Sequence, residues 1–222
     1  MKIIDCSHHI HTGMQVFPGD PDVVVTPALT VMNEGVNVLS LHFGSQTGTH
    51  VDSPFHVRDD LATLDHIPLT QFVGRYTLID ATGLDDRATI PIERFEAHTT
   101  FESIVLVRTD WSDFYNSARY LAHPVLDTLT IELLLRHGVR TIGLDFLSLD
   151  ATPVDVATMT LENHYRWSEQ GGIIVENLTN LRALSDETPY VSFLPLNLGA
   201  SDGAPIRAVA MSGLEGAAEK RP

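Results

Sequence analysis

Apolar residues along this chain come in short blocks, and the pattern within each block predicts an element. Residues 103–108 hold four aliphatic side chains in succession, Ile104-Val105-Leu106-Val107. A run without alternation marks a strand covered on both faces, as at the centre of a parallel sheet. Residues 36–43 alternate, with Leu39, Leu41 and Phe43 on one side and His42 on the other. That pattern predicts a strand with one buried face and His42 turned to solvent or a pocket. The β-branched stretch 23–31 precedes it, and Asn33-Glu34-Gly35 reads as the hairpin turn between them.

Helical spacing is clearest at 129–137, where Leu133, Leu134 and Leu135 give an apolar side, Thr130 reads as the N-cap and Gly138 as the stop. A strand follows at once at 139–145. A second helix at 161–169 ends at Gly171-Gly172 and leads into Ile173-Ile174-Val175, a strand carrying Glu176 at its end. Further strands are predicted at 2–5, 75–80, 191–198 and 206–211. A broken short helix is expected at 64–72 with Pro68 near its start, and another at 91–97 with Pro91 in its first turn. Helix-to-strand succession predicts a mixed α/β fold. No repeat or linker interrupts it, so one domain is expected over 1–222, with a frayed polar tail from Glu215.

Composition narrows the function. A hydrophobic share of 43% with 19% charged residues is globular rather than disordered. The formal net charge of −15, with Lys2 and Lys220 the only lysines, argues against a nucleic-acid partner or a membrane-surface patch. No apolar run approaches the roughly 20 residues of a spanning helix. The single Cys6 excludes an internal disulfide and, with no export signal, points to the cytoplasm. At a strand end it reads as a buried structural thiol.

The eleven histidines direct attention to Gln46-Thr47-Gly48-Thr49-His50-Val51-Asp52-Ser53-Pro54-Phe55-His56. On a roughly extended path Gln46, His50, Asp52 and His56, all at even positions, point to one side. Imidazole and carboxylate converging on a point suit a divalent metal. His8, His9 and His11 crowd an earlier loop, but adjacent His8 and His9 cannot face the same way on a strand. An ion needs more ligands than one strand end supplies. His164 on the 161–169 helix and Glu176 on the returning strand are the pair suited to complete the set. Taken alone, His164 reads as a solvated helix residue and Glu176 as a cap; beside the motif they read as ligands.

The stretch Thr47-Gly48-Thr49-His50-Val51-Asp52-Ser53-Pro54-Phe55-His56 resembles the His-x-Gly-Thr-His-x-Asp-x-Pro-x-His signature of the metal-dependent cyclase family, which includes bacterial kynurenine formamidases and isatin hydrolases. Asp5-Cys6-Ser7, Pro18-Gly19-Asp20-Pro21, Gly143-Leu144-Asp145 with Ser148, and His164 with Glu176-Asn177-Leu178 resemble other parts of it. The resemblance implies an α/β fold around a mixed, barrel-like sheet flanked by helices (swivelling β/β/α), and a homodimer or homotetramer. It further implies one or two zinc or manganese ions. His50 and Asp52 would be ligands with Asp52 bridging, His164 would bind a second ion, Glu176 would contact one or both, and His56 would be the proton shuttle. Two departures stand out. Gln46 occupies the place of the first motif histidine, offering a neutral amide oxygen that shifts the set toward manganese or loosely held zinc. Phe17 stands where formamidases place tryptophan.

These residues predict a metal-dependent hydrolase of a small amide, formamide or lactone, with metal-activated water as nucleophile. Phe17 and Trp111 are candidates for the substrate pocket or for the core. No Gly-x-Ser-x-Gly elbow occurs, which argues against a serine nucleophile. A lyase or cyclase using the same metal to stabilise an enolate is the alternative enzyme reading. A non-catalytic metal or small-molecule binding module is the alternative outside enzymes.

Overall fold

The four aliphatic residues of 104–107 are divided between two cores. Val105 and Val107 pack with Ile79, Ile131, Leu134 and Trp167, whereas Ile104 and Leu106 pack with Val51, Val175, Leu178 and Phe193. A central strand feeding a core on each face has no polar side, which is why its sequence shows no alternation.

The structure is a computed structural model and describes residues 1–153 and 155–212. In chain order its elements are β1 (Ile3–Asp5), β2 (Val24–Leu29), α1 (Val31–Glu34), β3 (Val38–His42), β4 (His50–Asp52), β5 (Val73–Asp80), α2 (Glu93–Glu96), β6 (Ile104–Arg108), α3 (Thr128–Arg136), β7 (Thr141–Leu144), α4 (Glu162–Glu169), β8 (Ile173–Glu176), β9 (Tyr190–Ser192), β10 (Gly203–Pro205) and β11 (Val209–Met211). Nine strands form one strongly curled sheet in the order β1-β11-β9-β5-β6-β7-β8-β4-β10. Strands β5 to β8 are mutually parallel, as helix-to-strand crossovers require, and the flanking pairs are antiparallel. This is the mixed, barrel-like α/β architecture expected. Among the described residues no helix is long and apolar enough to cross a membrane.

Strands β2 and β3 stand apart as a two-stranded antiparallel ribbon. The expected alternation of 36–43 is present, yet its apolar side is not buried: Leu39 and Leu41 are 59% and 57% exposed. The turn at Asn33-Glu34-Gly35 is lengthened into the single helical turn α1. There the Glu34 carboxylate accepts from the Thr30 N–H at 2.8 Å, and Gly35 closes the turn at φ 81°.

Several local readings are corrected. Asp127, not Thr130, caps α3, its carboxylate accepting the Thr130 N–H at 2.8 Å, while Thr130 is buried in the first turn. The 64–72 segment is two 3-10 turns, Leu64–His66 and Leu69–Gln71, separated at Ile67 and Pro68. The 191–198 strand stops at Ser192, and 206–211 is paired as a strand only from Val209. Strand β10, Gly-Ala-Pro, has no apolar pattern to announce it. Cys6 is buried and its thiol is pushed up to about 12 by desolvation, an inert core group. The tail from Glu215 lies outside the described residues.

Candidate active site

Gly48, at φ 63°, turns the chain into β4, which is inserted between β8 and β10. Val51 enters the core, so His50 and Asp52 emerge on the opposite face of the strand. The antiparallel register sets His50 directly beside Glu176. The step from α4 through Gly171-Gly172 to β8 then returns Glu176 to His164, with Nε2 and Oε1 3.5 Å apart. Four buried side chains from β4, α4 and β8 thus meet.

Their geometry has a pattern. His50 Nε2 lies 3.3 Å from Asp52 Oδ1 and 3.6 Å from Glu176 Oε2. His164 Nε2 lies 3.9 Å from Asp52 Oδ2 and 3.5 Å from Glu176 Oε1. Each carboxylate turns one oxygen to each imidazole. Both Asp52 oxygens are buried without a hydrogen-bond donor. An unpartnered buried carboxylate is costly, and a cation between it and the imidazoles removes the cost. One ligand atom each from His50, Asp52 and Glu176 falls within a 4.8 Å span, which fits a divalent metal.

The imidazoles are preset for ligation. His50 Nδ1 donates to the Gly48 carbonyl at 2.8 Å and His164 Nδ1 to Asp150 Oδ2 at 2.7 Å, leaving each Nε2 lone pair toward the cluster. Asp150 also accepts the backbone N–H groups of Asn163 and His164 at 3.1 and 3.0 Å, tying the start of α4 to the site. Asn177 braces the other side, donating to the Gly48 carbonyl at 2.9 Å while accepting from the Tyr120 hydroxyl at 2.8 Å. Glu176 Oε1 accepts the Leu149 N–H at 2.8 Å, so it does not cap a following helix.

The electrostatics call for positive charge. Burial by itself would lower His50, but Asp52 and Glu176 override it and raise it to about 9. Burial opposes His164 too, yet Asp150 and Glu176 raise it to about 10. Burial disfavours the charged Asp52, and His50 with its neighbours still holds it below the ordinary carboxylate value. With these preferences the cluster retains protons where a metal ion would otherwise supply the charge.

His56 comes to the site by a different route. After β4 the chain enters the 3-10 turn Pro54–His56, with the His56 N–H donating to Ser53 at 3.0 Å. His56 Nδ1 lies 3.3 Å from Asp202 Oδ2 and 3.1 Å from Gln46 Nε2, and Gln46 Nε2 donates to the same Asp202 oxygen at 2.8 Å. The Gln46 nitrogen is therefore engaged with Asp202, while its Oε1 is buried without a donor. A cavity of about 120 Å³ opens above the cluster. His50, His56, His164 and Glu176 line its floor, with Phe17, Leu147, Met159 and Leu161 as an apolar wall. An apolar cavity of about 150 Å³ holds one benzene ring, so this one suits a small molecule.

Of the residues singled out from the sequence, His50, Asp52, His164, Glu176, His56, Gln46 and Phe17 are brought together here. Trp111 is not: it is 2% exposed in the core, its indole N–H donating to the Tyr120 carbonyl at 3.2 Å. Its apolar bulk, following a strand end, is consumed by packing. The early histidines also lie apart, with His8 stacked on Tyr115 at 3.8 Å and His9 and His11 exposed. Asp150, Asn177 as a brace, and Asp202 escaped the sequence reading. Asp202 is 146 positions from His56, and an acidic residue before a glycine is the one local sign it offers.

Fold and site together define an α/β protein built around a buried His/Asp/Glu cluster that could hold a divalent metal ion. The chain belongs to the cyclase family: residues 4–151 match the family model Cyclase, described as "Putative cyclase". It is 33% identical over 219 residues to a kynurenine formamidase of Paracidovorax citrulli, covering 92% of this chain and 94% of that one. Among solved structures it resembles a predicted metal-dependent hydrolase from Bacillus stearothermophilus, with TM-score 0.74, 25% identity and 94% and 97% of the two chains covered. An isatin hydrolase from Labrenzia aggregata shares the fold, with TM-score 0.81, 21% identity and coverage of 95% and 93%.

Proposed function

We propose that this protein is a metal-dependent hydrolase that cleaves the carbon–nitrogen bond of a small arylformamide or cyclic amide. The observation that carries this reading is the buried His50–Asp52–His164–Glu176 cluster, with its unpartnered carboxylate, lining a small cavity that also presents His56. The similarity to kynurenine formamidases supports the substrate class. His50, Asp52, Glu176 and His164 would hold zinc or manganese, a mixed N/O set suited to either. Because each carboxylate turns one oxygen to each imidazole, the set has places for one ion or two. A bound ion would supply Lewis-acid polarisation of the carbonyl and lower the pKa of water.

The chain's own groups do the rest. Phe17, Leu147, Met159 and Leu161 hold the ring and exclude bulk water. His56 Nδ1–H donates to Asp202, whose carboxylate Gln46 also holds, leaving Nε2 to accept a proton from the attacking water and return it to the departing nitrogen. Burial alone would lower His56, and Asp52 and Asp202 raise it instead, keeping it able to carry a proton.

Elemental analysis of the purified protein, followed by turnover of an arylformamide and isatin with oxygen-labelled water, tests this. His50→Ala and Asp52→Ala should lose metal and activity, His56→Ala should keep metal and lose turnover, and the label should enter the acid product. Full metal retention in both ligand variants would overturn the proposal. A cytoplasmic location, in keeping with the buried free thiol, and a homodimer or its multiple complete the reading. Glu34 is the one charged residue of the β2–β3 ribbon, whose exposed Leu39 and Leu41 form an apolar face suited to a second copy. Leu39→Ser/Leu41→Ser should shift the mass in light scattering to that of one chain; an unchanged mass excludes the ribbon.

A further inference from the structure

We propose that Asp202 is the positioning residue for His56, and that Gln46 and Ser45 serve to hold its carboxylate in place. This rests on the hydrolase reading above for His56's task, but not for the geometry. Three donors meet on one oxygen, Asp202 Oδ2: Gln46 Nε2 at 2.8 Å, Ser45 Oγ at 3.0 Å and His56 Nδ1 at 3.3 Å. The oxygen cannot swing away without breaking all three.

The backbone beneath is equally constrained. The Asp202 carbonyl accepts the Ser53 N–H at 2.8 Å, which extends the β4–β10 pairing by one step beyond Gly203 and Asp52. Asp202 is thereby set in register with the ligand strand and rigidly related to it. Gly203 makes the arrangement possible. A Cβ there would lie 2.6 Å from the Val51 carbonyl and 2.7 Å from Gln46 Nε2, so any larger residue would displace the carboxamide or the strand.

The same trio explains how one imidazole can serve two protonation states. His56 Nδ1 has an acceptor, Asp202 Oδ2, and a donor, the Gln46 amide at 3.1 Å. With a proton on Nδ1 it donates to Asp202 and Nε2 is free as a base. With Nε2 protonated as well, the Nδ1–H of the imidazolium still donates to the Asp202 carboxylate, which Gln46 and Ser45 hold in place. A residue that must take a proton and give it back is oriented in both forms by the same Asp202 oxygen, without rotating its ring. Gln46 thus acts through its nitrogen on the proton-transfer side of the site.

The test is a double-mutant cycle with an independent structural readout. Asp202→Asn puts an amide where the three donors converge. It should lower kcat about 10- to 100-fold, with metal content and KM within about twofold of wild type. Because Asp202 acts through His56, adding Asp202→Asn to His56→Ala should cost nothing further. Nitrogen-15 histidine spectra of the metal-loaded protein should show His56 as the Nδ1–H tautomer, and this signature should be lost in Asp202→Asn. If that variant does not fold, Ser45→Ala, which removes one hydrogen bond, should lower kcat about 5-fold by the same route. Additive losses in the cycle, an unchanged tautomer, or loss of metal from Asp202→Asn would overturn the assignment. A wild-type protein inactive on every amide tried would instead sink the hydrolase reading, and the tautomer would still decide the role of Asp202.

Discussion

Asp150→Asn is the most informative perturbation of the metal centre, because it alters neither a proposed ligand nor the shape of the site. Asp150 is buried and accepts three hydrogen bonds, from the N–H of Asn163 and from both the N–H and Nδ1 of His164, at 3.1, 3.0 and 2.7 Å. Asparagine keeps one acceptor oxygen. In the best orientation it leaves a buried donor facing an amide nitrogen, at about 1–3 kcal/mol for each group left unpaired. Loss of the charge-assisted bond to the His164 ring adds to this, so a stability loss of about 2–4 kcal/mol is expected. With a urea slope of about 2 kcal/mol/M, that lowers the midpoint by about 1–2 M. The neutral amide oxygen holds the His164 ring less firmly in the Nδ1–H tautomer than the carboxylate does, so its Nε2 lone pair is less reserved for metal, and affinity should fall about 10- to 100-fold. Chelator competition read by elemental analysis measures the affinity, and urea unfolding of the metal-free protein measures stability separately. Unchanged metal affinity in a variant whose urea midpoint has fallen would refute the idea that Asp150 works by orienting His164.

Other outcomes follow from particular contacts. Gly143→Ala places a Cβ 2.6 Å from Leu106 Cδ2 and 2.9 Å from Leu178 Cδ1, where strand pairing on both sides leaves little room to shift. It should cost about 1–3 kcal/mol in chemical unfolding, and an unchanged midpoint would show that the core yields. Trp111→Ala should destabilise by about 3–5 kcal/mol with KM unchanged in the folded fraction. Phe17→Ala should raise KM with little effect on unfolding; the reverse pattern would exchange their roles. Burial lowers His123 from 6.5 to about 4. The folded state therefore binds fewer protons than the unfolded one between those values. The contribution, on the order of 3 kcal/mol, is fully present above pH 6.5 and is lost as pH falls towards 4. Urea midpoints from pH 7 to 4 should drop more steeply for wild type than for His123→Gln, and parallel curves would contradict the assignment.

By itself the sequence determined the central strands, the two longer helices and the local half of the site. Period and run length along β6, α3 and β8 report which faces are buried, and strand alternation between His50 and Asp52 is a property of three consecutive residues. The turn at Gly48 and the return from His164 to Glu176 are equally local, a loop and a helix-to-strand step. Only the tertiary structure decided what lies across the sheet. Strand β10, Gly203-Ala204-Pro205, has no side-chain pattern, and Gly203 is required for the absence of a Cβ; its register against β4 is set by backbone pairing rather than by side chains. From that register follow Asp202 beside His56 and the Gln46 nitrogen on Asp202. Trp111 and the ribbon leucines show the opposite limit, since an apolar side chain reads the same whether a core, a pocket or open surface receives it. Hydrogen bonds between residues more than a hundred positions apart depend on distances that no local period encodes, and those bonds are what turn a histidine-rich segment into an oriented site.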